Sequence, residues 1–248
     1  METTVKALSL ATALTLSSAA SAQTIDIGIL YTDQSAAATA NINTKINQLV
    51  SFTNQVYSQN NLNLNLRLVG TQNLGNYDIR PTGDWLNSVT DSGYLANLRN
   101  NWGADMIAVI GTAERTARGT TCGIAWVGQG SSATGNLNPS ASSRMYSITA
   151  VDCGATTFVH ELGHNQGLTH SPAQGDSSGG VYVDGMGYGV YNQFASIMAY
   201  PHVYGNATQY DYFSNPNWSV NGLAYGEWGK AFAWKTVDAT KASIANFK

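Results

Sequence analysis

The chain has 248 residues, with 12 basic and 15 acidic side chains, a formal net charge of -3 and only 11% charged residues. No cluster of Lys or Arg could form a phosphate-binding stripe, which argues against nucleic acid as a partner. A chain of this length can bury a sizeable core without metal or disulfide support.

Lys6 precedes an Ala- and Leu-rich run through Leu16, and Ala20-Ser21-Ala22 places small residues ahead of Gln23. This pattern predicts a signal peptide over residues 1–22, cleaved after Ala22, and a secreted product. The apolar run is too short for a membrane anchor, so no stable membrane insertion is expected. A strand-like run begins at Thr24, which leaves little room for an inhibitory pro-segment, and residues 23–248 are expected to form one domain. Thr24–Tyr31 predicts a strand, and Ile42, Ile46, Leu49, Thr53 and Val56 mark one side of a long helix. Leu62, Leu64, Leu66 and Leu68 alternate with polar residues, as in a half-buried strand. Met106–Ile110 is continuously apolar and suits a central strand covered on both faces. Cys122–Val127 and Met145–Val151 supply two more strands, and a final helix is predicted from about Tyr225. Cys122 and Cys153 are the only cysteines; in an exported chain they are expected to pair, the alternative being two buried thiols.

The run from His160 to His170 holds three of the four histidines. On a helix, His160 and His164 share a face and both can reach one ion, while Glu161 stands beside them to handle a water rather than to ligate. Gly167 can adopt a positive φ, stop the helix and turn the chain back, which brings in His170 as a third ligand. Three protein ligands leave the fourth position of one tetrahedral Zn2+ for water. A bare HExxH recurs by chance, but here Ala155, Phe158, Val159 and Leu162 form an apolar face opposite the histidines, which anchors the helix. Glu227, the only later glutamate, is remote in sequence, so His170 is the better third ligand.

His160-Glu161-x-x-His164-x-x-Gly167-x-x-His170 resembles the long zinc signature of the metzincin metalloendopeptidases. Ser196-Ile197-Met198-Ala199-Tyr200 is similar to the Met-turn of that clan, where a methionine packs beneath the zinc-binding histidines. Phe213-Ser214-Asn215-Pro216 and the strand pattern ahead of the site look closest to secreted reprolysin-like and peptidyl-aspartate metallopeptidases. His170 is followed by Ser171, whereas adamalysin-like enzymes carry Asp and astacin-like enzymes Glu there, so these residues leave the subfamily open.

The resemblance implies an α/β (α+β) domain: a twisted mixed sheet of about five strands with an antiparallel edge strand, long helices, the zinc-site helix and the Met-turn. It implies a secreted zinc endopeptidase acting on extended or unfolded polypeptides, with Glu161 as general base and Tyr200, two residues after Met198, as a second catalytic candidate that can help the transition state. Gly123–Val127 would be the edge to which substrate adds, with Trp126 either cleft wall or core, and the segment between His170 and Met198 would shape the pocket after the scissile bond. That segment has no Lys or Arg, so an aspartate preference would draw on Arg118 or Arg144. His202 reads as a surface or supporting histidine, since three better ligands complete the site. Asp176, Ser177, Ser178 and Asp184 offer oxygen ligands for Ca2+ but match no EF-hand loop, so a solvated loop is the preferred account. The rival function is a non-catalytic, zinc-stabilised peptide-binding domain, which would have no need of an aligned base.

Overall fold

The computed structural model describes residues 21–117 and 119–248. The expected signal peptide therefore lies, except for Ser21 and Ala22, outside the described residues, as does Arg118. Strand β1 (Gln23–Tyr31) leads through a short helix α1 (Asp33–Ala37) to α2 (Ile42–Gln59) and β2 (Leu64–Asn73). Helices α3 (Gly83–Thr90) and α4 (Gly93–Trp102) precede β3 (Met106–Gly111), and a hairpin of β4 (Glu114–Thr116) and β5 (Gly119–Thr121) runs into β6 (Gly123–Ala125). Strand β7 (Tyr146–Ala150) then feeds α5 (Ala155–Asn165).

Five strands form one sheet in the order β2-β1-β3-β7-β6. The first four are parallel, and β6 runs antiparallel to β7 at the edge. This is the mixed sheet with an antiparallel edge strand that the family resemblance implied. Strand β3 is buried along its whole length because helices cover both sides. Its side chains alternate between two cores: Met106, Ala108 and Ile110 join the larger one with Ile25, Ile27 and Ile29, while Ile107 and Val109 join the smaller one with Leu86, Val89 and Leu95 of α3 and α4. The larger core also takes Ile46, Leu49 and Val56 of α2 and Phe158, Val159 and Leu162 of α5, so the predicted apolar faces of both helices pack into it, while the His160, Glu161 and His164 side of α5 is buried too.

The remaining elements are a small sheet of β8 (Gly189–Val190), β9 (Phe194–Ala195) and β10 (Thr208–Gln209), a hairpin of β11 (Asn215–Val220) and β12 (Leu223–Tyr225), and helix α6 (Ala233–Ile244). The final helix thus starts eight residues later than expected, because Tyr225 closes a hairpin instead. Asn221 and Gly222, at φ 53° and 79°, form its turn, and an Asn-Gly pair between extended segments is the local signal for it. Helices α3 and α4 were not anticipated either; Thr82 and Ser92 cap their N-termini by accepting from the amides of Trp85 and Leu95.

The edge strand is shorter than the predicted Cys122–Val127. After Ala125 the chain leaves the sheet and docks on α5: the Trp126 carbonyl accepts from Asn165 Nδ2 at 2.9 Å, and the Gly128 amide donates to the His164 carbonyl at 2.8 Å. Cys122 pairs with Cys153, their Cα atoms 5.8 Å apart, tying the start of β6 to the residue before the Gly154 cap of α5. The bridge closes a loop with a sequence separation of 31. Replacing both cysteines by serine is expected to lower the unfolding free energy in urea by about 2–4 kcal/mol, and an unchanged midpoint would show that the bridge constrains nothing the fold does not already hold.

Candidate metal centre

Helix α5 ends where the sequence predicted. The Gly167 amide donates to the His164 carbonyl at 2.9 Å and the Leu168 amide to the Gly163 carbonyl at 3.0 Å, with Gly167 at φ 94°. This paired bonding is a Schellman cap, which needs a residue tolerant of the left-handed region. Beyond it, Thr169 bonds by its amide to the Gly185 carbonyl, and the His170 amide donates to Asp176 Oδ2 at 2.7 Å. These contacts hold His170 beside the helix it has just left.

The histidine tautomers follow from the partners of their Nδ1 atoms. His160 Nδ1 lies 2.8 Å from the Ile197 carbonyl and His164 Nδ1 2.8 Å from the Leu168 carbonyl. A carbonyl only accepts, so each Nδ1 carries the hydrogen and each Nε2 presents a lone pair. His170 Nδ1 faces Asp176 Oδ2 at 3.3 Å, which directs its hydrogen the same way. The Nε2 atoms of His160 and His170 are then 3.2 Å apart, and one ligand atom from each of the three rings falls within 4.8 Å of the others. Lone pairs brought together like this repel unless a cation sits among them, and two ligands at tetrahedral zinc distances would be about 3.3 Å apart. The donor set fits zinc.

Burial holds all three rings neutral. It pushes His160 well below its ordinary value, with the nearby His164 and His170 adding to the effect, and pushes His164 down to about 4. His170 is lowered by burial and partly restored by Asp176. Glu161, also buried, is raised well above the usual carboxylate range by desolvation. A Cβ at Gly123 would lie 2.2 Å from Glu161 Oε1, so the edge strand approaches this carboxyl as closely as only glycine permits. Met198 is fully buried, and a Cβ at Gly163 would lie 2.8 Å from its sulfur, which puts the predicted methionine under the turn between His160 and His164.

Tyr200, 41% exposed, brings its hydroxyl to 3.1 Å from His170 Nε2 and stacks on His160 at a centroid distance of 5.7 Å. Burial, then the Glu161 and Asp176 carboxyls, raise its phenol, which stays protonated as a donor. His202 stacks on the other side of Tyr200. Two residues absent from the sequence reading hold this region together. Gln174 Oε1 accepts from the Tyr200 amide and from the hydroxyl of buried Ser171, while Gln209 Nε2 donates to the Ala199 carbonyl at 3.2 Å. Nothing in local spacing marks either glutamine, because their partners lie far away in sequence or in irregular chain.

A cavity of about 340 Å³ opens beside Glu161 and His160, lined by Thr121, Gly123, Thr157, Pro201 and His202 among others. Of the segment between His170 and Met198, expected to shape this pocket, only Ile197 reaches it. Much of that segment instead folds back on the end of α5, where Gly180 bonds Gly167 and Gly130. Arg144 lies over the Trp126 ring at 4.3 Å and does not line the cavity, and Trp126 donates to Thr90 and packs on the smaller core. Of the residues offered as oxygen ligands for Ca2+, the Asp184 carboxylate meets Lys235 and that of Asp176 meets His170. Among the described residues, His160, His164 and His170 are the group able to hold a metal.

Residues 21–224 match the model of the reprolysin-like metallopeptidase family M12B. The chain is 36% identical, over 95% of its length, to a peptidyl-Asp metalloendopeptidase of Pseudomonas aeruginosa, of which the match covers 42%. It is 30% identical over 94% of its length to one of Stenotrophomonas maltophilia, covering 55% of that protein, and 29% identical over 93% to one of Xanthomonas campestris, covering 53%. The chain thus spans about half the length of these curated relatives. A solved chain from the structure of a chaperone–substrate complex superposes with a TM-score of 0.70 at 21% identity, over 92% of this chain and 36% of that one, a likeness of fold.

The electrostatics make the metal-free protein sensitive to acid. Unfolded imidazoles titrate near 6.5 and the folded ones lower, so their stabilising contribution is present above about pH 6.5 and is lost as pH falls through that value toward the folded ones, about 4 for His164. Glu161 works in the opposite sense, since its raised folded value favours folding below its unfolded 4.5 and loses that contribution as pH rises. Three imidazoles oppose one carboxyl. The urea midpoint of protein held in chelator is therefore expected to drop between pH 7 and pH 5, and the drop should shrink in a His160→Gln, His164→Gln double variant; equal drops in both proteins would contradict the assignment.

Proposed function

The chain belongs to the reprolysin-like M12B metallopeptidase family, and on that premise we propose that it is a secreted zinc endopeptidase cutting internal bonds of extended or unfolded polypeptides. The observation that carries this reading is the convergence of three unprotonated Nε2 atoms next to a buried carboxyl at a cavity beside an antiparallel sheet edge. A zinc-stabilised binding domain would need the three histidines but has no use for Glu161 in that cavity. Secretion is supported by the Cys122–Cys153 bridge, which persists in oxidising compartments, and by the character of residues 1–22.

His160, His164 and His170 would hold the ion. When bound, zinc supplies Lewis acidity toward a water and a peptide carbonyl. Glu161 takes the proton of the attacking water and returns it to the amine nitrogen as the peptide bond breaks. Its raised proton affinity suits both halves of that task. The Tyr200 phenol donates to the carbonyl oxygen as negative charge develops there. The free edge of β6 offers backbone groups to which a substrate segment adds as a further strand, a mode tolerant of sequence but demanding extended chain.

The relatives' name, peptidyl-Asp metalloendopeptidase, extends here to a preference for bonds beside aspartate. The hydroxyls of Thr121 and Thr157 and the His202 imidazole support it, because they offer hydrogen-bond donors to a carboxylate in the cavity beside Glu161.

Denatured casein is expected to be cut internally by the chain, with cuts mapped by mass spectrometry clustering beside aspartate. The activity should vanish with 1,10-phenanthroline and return with zinc, and should fall to a small residual rate in Glu161→Gln although one zinc per chain is retained. No cleavage by zinc-loaded protein would favour the binding-domain reading, and cuts clustering before large apolar residues would exclude the aspartate preference. Tyr200→Phe is expected to lower kcat by about tenfold or more with zinc content unchanged; an unaltered kcat would reduce Tyr200 to packing.

A further inference from the structure

Behind Glu161 lies a polar seam in an otherwise apolar interior. Along β7, Tyr146 and Ile148 face the smaller core, so by the alternation of a strand Ser147 and Thr149 face the other side, toward α5. In the antiparallel pairing of β7 with β6, Thr149 stands opposite Gly123 and Ser147 opposite Ala125. Residues directly opposite project to the same face, with Cβ positions about 4.5–5.5 Å apart. The missing side chain of Gly123 would strike the Glu161 carboxyl, so Thr149 projects beside that same carboxyl.

The chemistry at this point is complementary and unsatisfied. Thr149 Oγ1 and Glu161 Oε2 are both sealed from solvent, and neither has a hydrogen-bond partner. One is a donor and the other an acceptor. One helical turn along, Asn165 Oδ1 is likewise sealed and unpartnered, as is Ser147 Oγ two residues before Thr149. A buried hydroxyl without a partner costs about 1–3 kcal/mol, and valine would fill the same volume without that cost. The seam therefore makes sense as support for the carboxyl rather than as packing.

We infer that Thr149 is a positioning residue for Glu161: its hydroxyl, unpartnered in the structure, is placed to donate to Oε2 once substrate is bound, which fixes the carboxyl plane so that Oε1 is presented to the reacting water. Hydrogen bonds of this kind are often long before substrate binds and tighten in the complex. The inference rests on the endopeptidase reading above, and wild-type protein that cleaves no peptide would defeat that reading first.

Given active wild-type protein, Thr149→Val is expected to lower kcat about tenfold or more, with KM within about twofold and one zinc per chain retained. Thr149→Ser, which keeps the hydroxyl, should restore most of the rate. In a Glu161→Gln background, assayed at high enzyme concentration, Thr149→Val should cause no further loss, because its effect runs through the carboxyl. A wild-type kcat in Thr149→Val, or the same proportional loss with and without Glu161, overturns the assignment. If the valine variant does not fold, Thr149→Ala compared with Thr149→Ser is read by the same criteria.

Discussion

The hydrogen bond from His160 Nδ1 to the Ile197 carbonyl joins two parts of the chain on which the rest of the site depends. It fixes the tautomer that turns the Nε2 lone pair inward, and it fastens helix α5 to the loop that carries Met198 and Tyr200. The same loop is clasped from behind by Gln209 and meets the helix through the contact of Met198 with Gly163. A side chain at Gly163 would require the Met198 side chain to shift. Loss of this junction would displace His160, the methionine beneath it and the phenol beside it together.

The sheet supplies the rigidity that this junction needs. Strands β1, β3 and β7 are parallel and covered on both faces, and α5 buries Phe158, Val159 and Leu162 in the larger apolar core with Ile25, Ile27 and Ile29 of β1 and Met106, Ala108 and Ile110 of β3. Such packing offsets the cost of burying two imidazoles and a carboxyl. Where the apolar layer ends, at the β6–β7 pair, side chains become small or hydroxylated: Gly123, Ala125, Ser147 and Thr149. The sheet is therefore thinnest and most polar where it meets Glu161. The disulfide pins this edge to the start of the helix at the one place where the hydrogen-bonded ladder is only three residues long.

Family membership and geometry bear on different questions. Relatives about twice the length of the chain match it over nearly its whole length, and a solved structure at 21% identity shares its fold. Neither says how this chain orders its own cleft. Here the cavity wall is built from the β4–β5 hairpin, the first turn of α5 and the residues after Met198, while Arg144 is spent on Trp126.

The clustering of the three histidines was legible in the sequence because its rules are local. Four residues separate His160 from His164 on one helical face, and Gly167 stops the helix at a distance that returns His170; backbone geometry alone dictates both. Long strands were legible for the same reason, since two-residue alternation and continuous apolar runs report burial directly. The Asn221-Gly222 turn and the Thr82 and Ser92 caps were equally local signals, and their elements went unpredicted only because the apolar pattern around them is short. Other features depend on contacts between segments remote in sequence. The pairing of Thr149 with Gly123, the reach of Tyr200 to His170, the clasp by Gln209 and the contact of Asp176 with His170 each require the folded sheet and loops to bring the partners together. Residue spacing determined which atoms could bind a metal; only tertiary packing decided which proton each of them carries and what stands behind them.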